Sequence, residues 1–258
     1  MGIVNVTPDS FSDGGRLVDS RIAIEAGLAM TEDGADIIDV GGESTRPGAQ
    51  AVPAALEQDR VLPVIEALAR QGVRVSADTR NASTMRAALA AGASIVNDVS
   101  GLTHDPLSAG VVAAFGCPVV LMHMRGTPAT MNDLAIYQDV VAEVRSELAL
   151  RVAAAIQAGI RPENIAIDPG IGFAKRPAHA PALLRGLSEI ASPGHPILVG
   201  VSRKSFIGGL SGELRPDRRL PGSLAAGLFA VLHGASILRV HDVWETTQTV
   251  RVWHSLFE

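Results

Sequence analysis

Short apolar runs alternate along the chain with longer segments of helical periodicity. The runs are MGIVNVT (1–7), ADIIDVGG (35–42), VRVSADT (73–79), ASIVNDVS (93–100), PVVLMHM (118–124), IAIDPG (165–170), PILVGVS (196–202) and SILRVHD (236–242). Each has the length and the Val/Ile content of a buried strand rather than of a helix. The segments between them repeat differently. Ile136, Val140, Val144, Leu148, Val152 and Ile156 predict one apolar helix face, with Gly159 as the stop and Pro162 beyond it.

A weak internal repeat supports this alternation. GADIIDV, GASIVND and GASILRV begin at Gly34, Gly92 and Gly234. Each reads as a helix-stopping glycine followed by a buried strand, at offsets that fit whole βα units of roughly thirty residues. Near-continuous apolar strands alternating with helices predict an α/β fold whose parallel sheet is covered on both faces. Eight such units in 258 residues fit a (β/α)8 TIM barrel, one domain spanning 1–258. A doubly wound open sheet is the alternative. It usually has fewer strands and a G-x-G-x-x-G turn after the first, which this chain lacks.

In such a barrel the chemistry lies at the C-terminal ends of the strands. Polar residues recur there: Asn5; Glu43; Asp78; Asn97 and Asp98; His123; Asp168; Ser202, Arg203 and Lys204; Arg239 and His241. Any one has an ordinary reading, as Asp168 before Pro169-Gly170 does as a turn residue. Their recurrence at one rim points to a site. Arg239 and His241 are spaced by two and so share a face. Arginine with an imidazolium suits a phosphate or pyrophosphate, although Arg239 could instead partner a buried acid such as Asp98. The Asn5 amide oxygen beside a polyphosphate suits Mg²⁺. Asp78 and Asp168 could accept paired N–H bonds from a guanidine-like heterocycle edge and stabilise positive charge on it. Pairing with Arg80 is the alternative for Asp78. His123 reads as a structural hydrogen-bonder, and Glu43 as support for its loop or as a base.

Composition narrows the chemistry further. The chain is 47% hydrophobic, carries a net charge of −5 and has no basic run, which argues against nucleic acid as a main partner. Cys117 stands alone in an apolar stretch, so no disulfide framework exists. There is no long apolar span and no basic-then-apolar start, so no membrane partner and a cytoplasmic setting are expected. No H-E-x-x-H, C-x-x-C or G-x-S-x-G occurs, which argues against zinc hydrolysis and a serine nucleophile. Only two lysines occur, Lys175 and Lys204. A compact ammonium can fit beside a ring where a guanidinium cannot. Lys175 ends DPGIGFAK, where closing the loop is one role open to it.

NVTPDSFSDGG, ESTRPGA, SIVNDVSG, HMRGTPATM, DPGIGFAK, SRKSFIGG and RVHDV, in that order, resemble the dihydropteroate synthase family of pterin-binding enzymes. The resemblance runs from residue 1 to the C-terminus. It implies condensation of 6-hydroxymethyl-7,8-dihydropterin pyrophosphate with p-aminobenzoate, giving 7,8-dihydropteroate and pyrophosphate, with Mg²⁺ held by Asn5. It places Asp78, Asn97 and Asp168 at the pterin, and Lys204 at the pterin next to the aminobenzoate. Arg239 and His241 fall at the pyrophosphate. Thr45, Arg46, Pro47 and Ser202 fall at the aminobenzoate, with Phe173 in the same pocket. Phe11 and Asp13 fall in a first mobile loop that closes with a second, 43–50. Lys204, Asp168, Arg239 and His241 would carry the catalysis. A corrinoid-type pterin methyltransferase shares the pterin pocket, but it does not need a pyrophosphate site. A non-catalytic pterin-binding protein is the other alternative. The resemblance also implies a homodimer, and LAAGLFAVL within 221–234 offers an apolar face that fits either an interface or packing within the fold. Family members usually carry a further N-terminal segment that caps the barrel bottom; here strand one starts at residue 1, so that bottom is expected to be bare.

Overall fold

The computed structural model describes residues 1–7, 16–46, 48–191 and 194–256, with backbone alone for 16–19. All eight predicted runs contain strands: β1 (Gly2–Asn5), β2 (Ile38–Gly41), β3 (Val75–Asp78), β4 (Ile95–Asp98), β5 (Val119–Met122), β6 (Ile165–Asp168), β7 (Ile197–Val199) and β8 (Ala235–Leu238). Every pair is parallel, and the strands lie side by side in chain order. Beyond β8, Gly2 and Val240 form an isolated parallel bridge. There the Ile3 N–H donates to Val240 O at 3.1 Å and the Val240 N–H to Met1 O at 2.9 Å. Parallel neighbours need crossovers. These contain α1 (Arg16–Glu32), α2 (Ala54–Arg70), α3 (Ala82–Ala90), α4 (Ser108–Phe115), α5 (Val140–Gln157), α6 (Ala180–Arg185), α7 (Leu187–Ile190), α8 (Ser205–Ser211) and α9 (Leu220–Leu232), and α10 (Val243–Ser255) follows β8. Among the described residues no helix is long and apolar enough to cross a membrane.

The repeat glycines behave as read. Gly34, Gly92 and Gly234 have φ of 99°, 109° and 100°, a backbone region open to glycine at little cost. Each ends a helix and turns the chain into the next strand. The strands then bury Ile38, Val40, Val75, Val96, Val119, Leu121, Ile165 and Ile167 against the helices. Burying one such side chain is worth about 1.5–3 kcal/mol. Cys117 is buried, as expected of a small apolar residue.

Two expectations change. In α5, Val140, Val144, Leu148 and Val152 are buried, but Ile136 and Ile156 are exposed. A four-residue spacing drifts by about 40° per step, so Ile156 lies about 160° round from Val140. Ile136 precedes the helix, which starts at an Asp139 cap accepting the Val141 and Ala142 N–H groups at 3.0 and 3.1 Å. β8 also departs from the buried pattern, being partly exposed along its length.

Candidate active site

The strand register fixes the first part of the site. Asn5, Gly41, Asp78 and Asn97 are successive partners across β1 to β4. Gly41 gives Asp78 its room: a Cβ there would stand 3.3 Å from Asp78 Cβ and Oδ2. Two residues earlier on β2, on the same face, is Asp39, fully buried. Asp39 Oδ2 accepts from Asn97 Nδ2 at 2.9 Å and Arg239 Nε at 2.6 Å. Arg239 Nη2 donates to Asp78 Oδ2 at 2.7 Å. Burial opposes the charge on Arg239, but Asp39 and Asp78 more than offset it and hold its pKa above the ordinary value. Burial pushes Asp78 above the usual carboxylate range, and the Arg239 guanidinium pulls it back toward the ionised form.

The two alternatives in the sequence are thereby resolved. Arg239 does pair with buried acids, but these are Asp39 and Asp78. Asp98 instead accepts the Ser100 N–H and hydroxyl, each at 2.7 Å, and the Leu102 N–H at 3.0 Å. Asp78 does not pair with Arg80, whose Nε and Nη2 donate to Glu43 Oε2 and Oε1 at 2.8 and 2.9 Å.

Asp168 and Lys204 form the second part. Asp168 is buried and accepts the Gly170 N–H at 2.7 Å. Burial raises its pKa, and Lys204 opposes the rise. Burial likewise pulls Lys204 down to about 8 against the attraction of Asp168. Lys204 Nζ donates to Ile171 O and lies 4.9 Å from the Phe173 ring centroid. An ammonium thus faces an aromatic ring, with the Asp168 carboxylate near enough to act on its charge.

Lys175 closes the loop that carries Phe173. It is buried, and its Nζ meets three acceptors: His123 Nδ1 at 2.8 Å, His123 O at 3.3 Å and Phe173 O at 3.0 Å. Burial pushes the Lys175 pKa well below its ordinary value, opposed by Asp168. His123 Nε2 meets Glu147 Oε2 at 2.9 Å, and a carboxylate only accepts, so the ring proton lies on Nε2 and Nδ1 accepts from Lys175. His123 is a structural hydrogen-bonder. Burial and then Lys175 lower its pKa to about 2, so the ring is neutral.

At the rim, Ser202 Oγ meets His241 Nδ1 at 3.0 Å and accepts the His241 N–H at 3.2 Å. The sequence suggests an imidazolium at His241 when an anion is bound. Within the protein alone, partial burial, then Arg203 and Arg239, lower its pKa to about 4. The residue remains open to solvent, where water screens those charges. Arg203 turns away from the site to Asp242, with Nε to Oδ2 at 3.0 Å. Thr45 is half-buried and Arg46 exposed on the loop after β2. Phe11, Asp13 and Pro47 lie outside the described residues.

A family model described as "Pterin binding enzyme" matches residues 1–241. The chain is similar to the dihydropteroate synthase of Mycobacterium leprae, 48% identical over 98% of this chain and 91% of that one. It belongs to the dihydropteroate synthase family. Two solved structures of the family superpose closely. The dihydropteroate synthase of Xanthomonas albilineans with 4-aminobenzoic acid has a TM-score of 0.94 and 49% identity, covering 99% of this chain and 92% of that one. The Yersinia pestis dihydropteroate synthase with a sulfonamide drug has a TM-score of 0.93 and 42% identity, covering 99% and 93%.

The structure brings Asp78, Asn97 and Arg239 into one cluster, Lys204 and Phe173 into contact with Asp168 nearby, and Ser202 and His241 into a third group. It also supplies what the reading of this dihydropteroate synthase family sequence missed. Asp39 is the hub of the first cluster, yet its only mark in the sequence is that it is the inner of the two carboxylates in the apolar run ADIIDVGG. A buried strand seldom carries a charge that lacks a partner, and that was the available signal.

Proposed function

We propose that this chain joins 6-hydroxymethyl-7,8-dihydropterin pyrophosphate to p-aminobenzoate, releasing pyrophosphate and 7,8-dihydropteroate. The observation that carries the reading is Lys204, whose ammonium faces the Phe173 ring and bonds Ile171 O on the loop that follows the buried Asp168. A pterin ring rich in N–H donors finds acceptors in Asp168 and in the Asp78 oxygen that Arg239 leaves free. In the reaction the methylene–oxygen bond breaks and its electron pair leaves with pyrophosphate. The aryl amine lone pair forms the new carbon–nitrogen bond, and the amine loses a proton. Asp168 stabilises the electron-poor methylene. Arg239 keeps N–H groups beyond those bound to Asp39 and Asp78, and these with the His241 ring would receive the pyrophosphate. The negative charge of the pyrophosphate would also favour protonation of His241. No covalent enzyme intermediate is needed.

Asn5, at the end of β1, would hold Mg²⁺. Among the described residues no group of three or more His, Cys, Asp or Glu could ligate a metal. One amide oxygen fits an ion that keeps its waters and borrows phosphate oxygens. Bound there, Mg²⁺ would neutralise charge building on the leaving group.

The Gly2–Val240 bridge supports closure of the eight strands into a (β/α)8 TIM barrel, one domain over the chain, with the site at its C-terminal mouth. We place Thr45, Arg46, Pro47, Phe173 and Ser202 at the aminobenzoate, and assign Phe11 and Asp13, outside the described residues, to the same reaction. A homodimer is supported by an apolar groove of about 370 Å³ lined by Phe206, Ile207, Leu210, Ala226 and Phe229. The setting is cytoplasmic. The test is an assay with Mg²⁺: pyrophosphate should appear only when both substrates are present. Pterin binding without turnover would remove the reading.

A further inference from the structure

Glu43 is the residue whose role the sequence left open, and the structure gives it an unusual set of partners. Its side chain and that of Arg80 are each 6% exposed. The guanidinium meets both carboxylate oxygens, at 2.8 and 2.9 Å. Oε1 also accepts the Val52 N–H at 2.9 Å. One carboxylate therefore ties the first residue of the 43–52 loop to its last, and ties both to the residue two past Asp78. A third pin holds the loop further along, where the Gly48 N–H donates to Pro128 O at 3.0 Å. Thr45 and Arg46 lie between these pins. None of the contacts made by Glu43 reaches Asp39, Asp78, Asn97 or Arg239.

We propose that Glu43 and Arg80 are positioning residues that set the loop carrying Thr45 and Arg46, and so govern affinity for the aryl amine independently of the pterin. The inference rests on the proposed synthase activity. Two-point Arg–carboxylate bonds fix orientation as well as distance, which a single contact does not. Removing one partner leaves the other buried and unpaired, so the loop must shift to let in water. Displacement of about an ångström away from the reacting atoms is enough to cost as much as a hundredfold.

Glu43→Gln and Arg80→Met, singly and together, test this in the intact protein. We expect the KM for p-aminobenzoate to rise roughly tenfold to a hundredfold in each single variant. The double variant should add little, because the two side chains act as one unit. The Kd for the pterin pyrophosphate should stay within about twofold of the parent, since its cluster is untouched. Hydrogen exchange over 43–52 should quicken in Glu43→Gln, a readout that needs no activity. A KM for p-aminobenzoate within about twofold of the parent, or equal weakening of both substrates, would overturn the proposal. If Arg80→Met does not fold, Arg80→Lys, which keeps charge but not the two-point geometry, is judged by the same criteria. A parent protein that binds the pterin but makes no product would instead overturn the synthase reading. Exchange over 43–52 that does not change in Glu43→Gln would still count against the clamp.

Discussion

The two ends of the site are built differently. At the proposed pterin end, Asp39, Asp78 and Asn97 project from β2, β3 and β4, and their spacing follows from strand register. At the proposed aminobenzoate end, Thr45, Arg46 and Phe173 lie on loops, and their positions depend on a few pins: Glu43 with Arg80, and Lys175 with His123. A sheet places groups rigidly because every strand is bonded along its length. A loop places them only as well as its anchors. Damage at the first end should therefore strike stability and binding together, whereas damage at the second should separate them.

The largest effect is expected from Arg239→Ala. It strands Asp39 and Asp78 in a buried place, and should cost about 3–5 kcal/mol of stability along with pterin affinity. Denaturant titration and pterin binding measure this; a variant as stable as the parent would break the comparison. Next is Lys204→Arg. It replaces a compact ammonium that meets Ile171 O and the Phe173 ring with a broader planar fork, so turnover should fall about a hundredfold with stability little changed. Steady-state kinetics alongside a melting curve would show the split, and unaltered kinetics for both substrates would refute it.

His123 sharpens the comparison through pH. Its folded pKa of about 2 lies below the ordinary 6.5, so the unfolded chain binds the extra proton as pH falls. Its contribution to stability is intact above 6.5 and is lost as pH drops from 6.5 toward 2, by up to about 1.4 kcal/mol per pH unit. His123→Gln should lack that part of the slope when unfolding is followed from pH 7 to pH 4. An identical slope in the variant would mean the ring does not stay neutral. The smallest effect should come from Arg46→Ala, since Arg46 is exposed: a few-fold change in sulfonamide inhibition, still relieved by added p-aminobenzoate. Inhibition that p-aminobenzoate cannot relieve would place the drug elsewhere.

What could be read from the chain follows the same division. Strand positions were legible because burial on both faces leaves an unbroken apolar run, and a polar residue closing such a run must be at a strand end. Asp78, Asn97 and Asp168 were found in this way. Asp39 was not, because it interrupts its run from within. The partners of Arg239 and Arg80 were not legible either. Nearness in sequence favours a local pair between Asp78 and Arg80, but the approach of Glu43 to Arg80 exists only across neighbouring strands. Ile156 failed for a simpler reason: a four-residue repeat followed too far winds off the buried face.

The shared guanidinium of Arg239 bears on how the reaction ends. An arginine with no acid beside it would hold an anion more tightly than one already paired. Asp39 and Asp78 draw on the same positive charge, so in the proposed reaction the grip of Arg239 on pyrophosphate would be weakened before and after the step alike. The arrangement would favour departure of the spent group, and so the emptying of the site for another turnover.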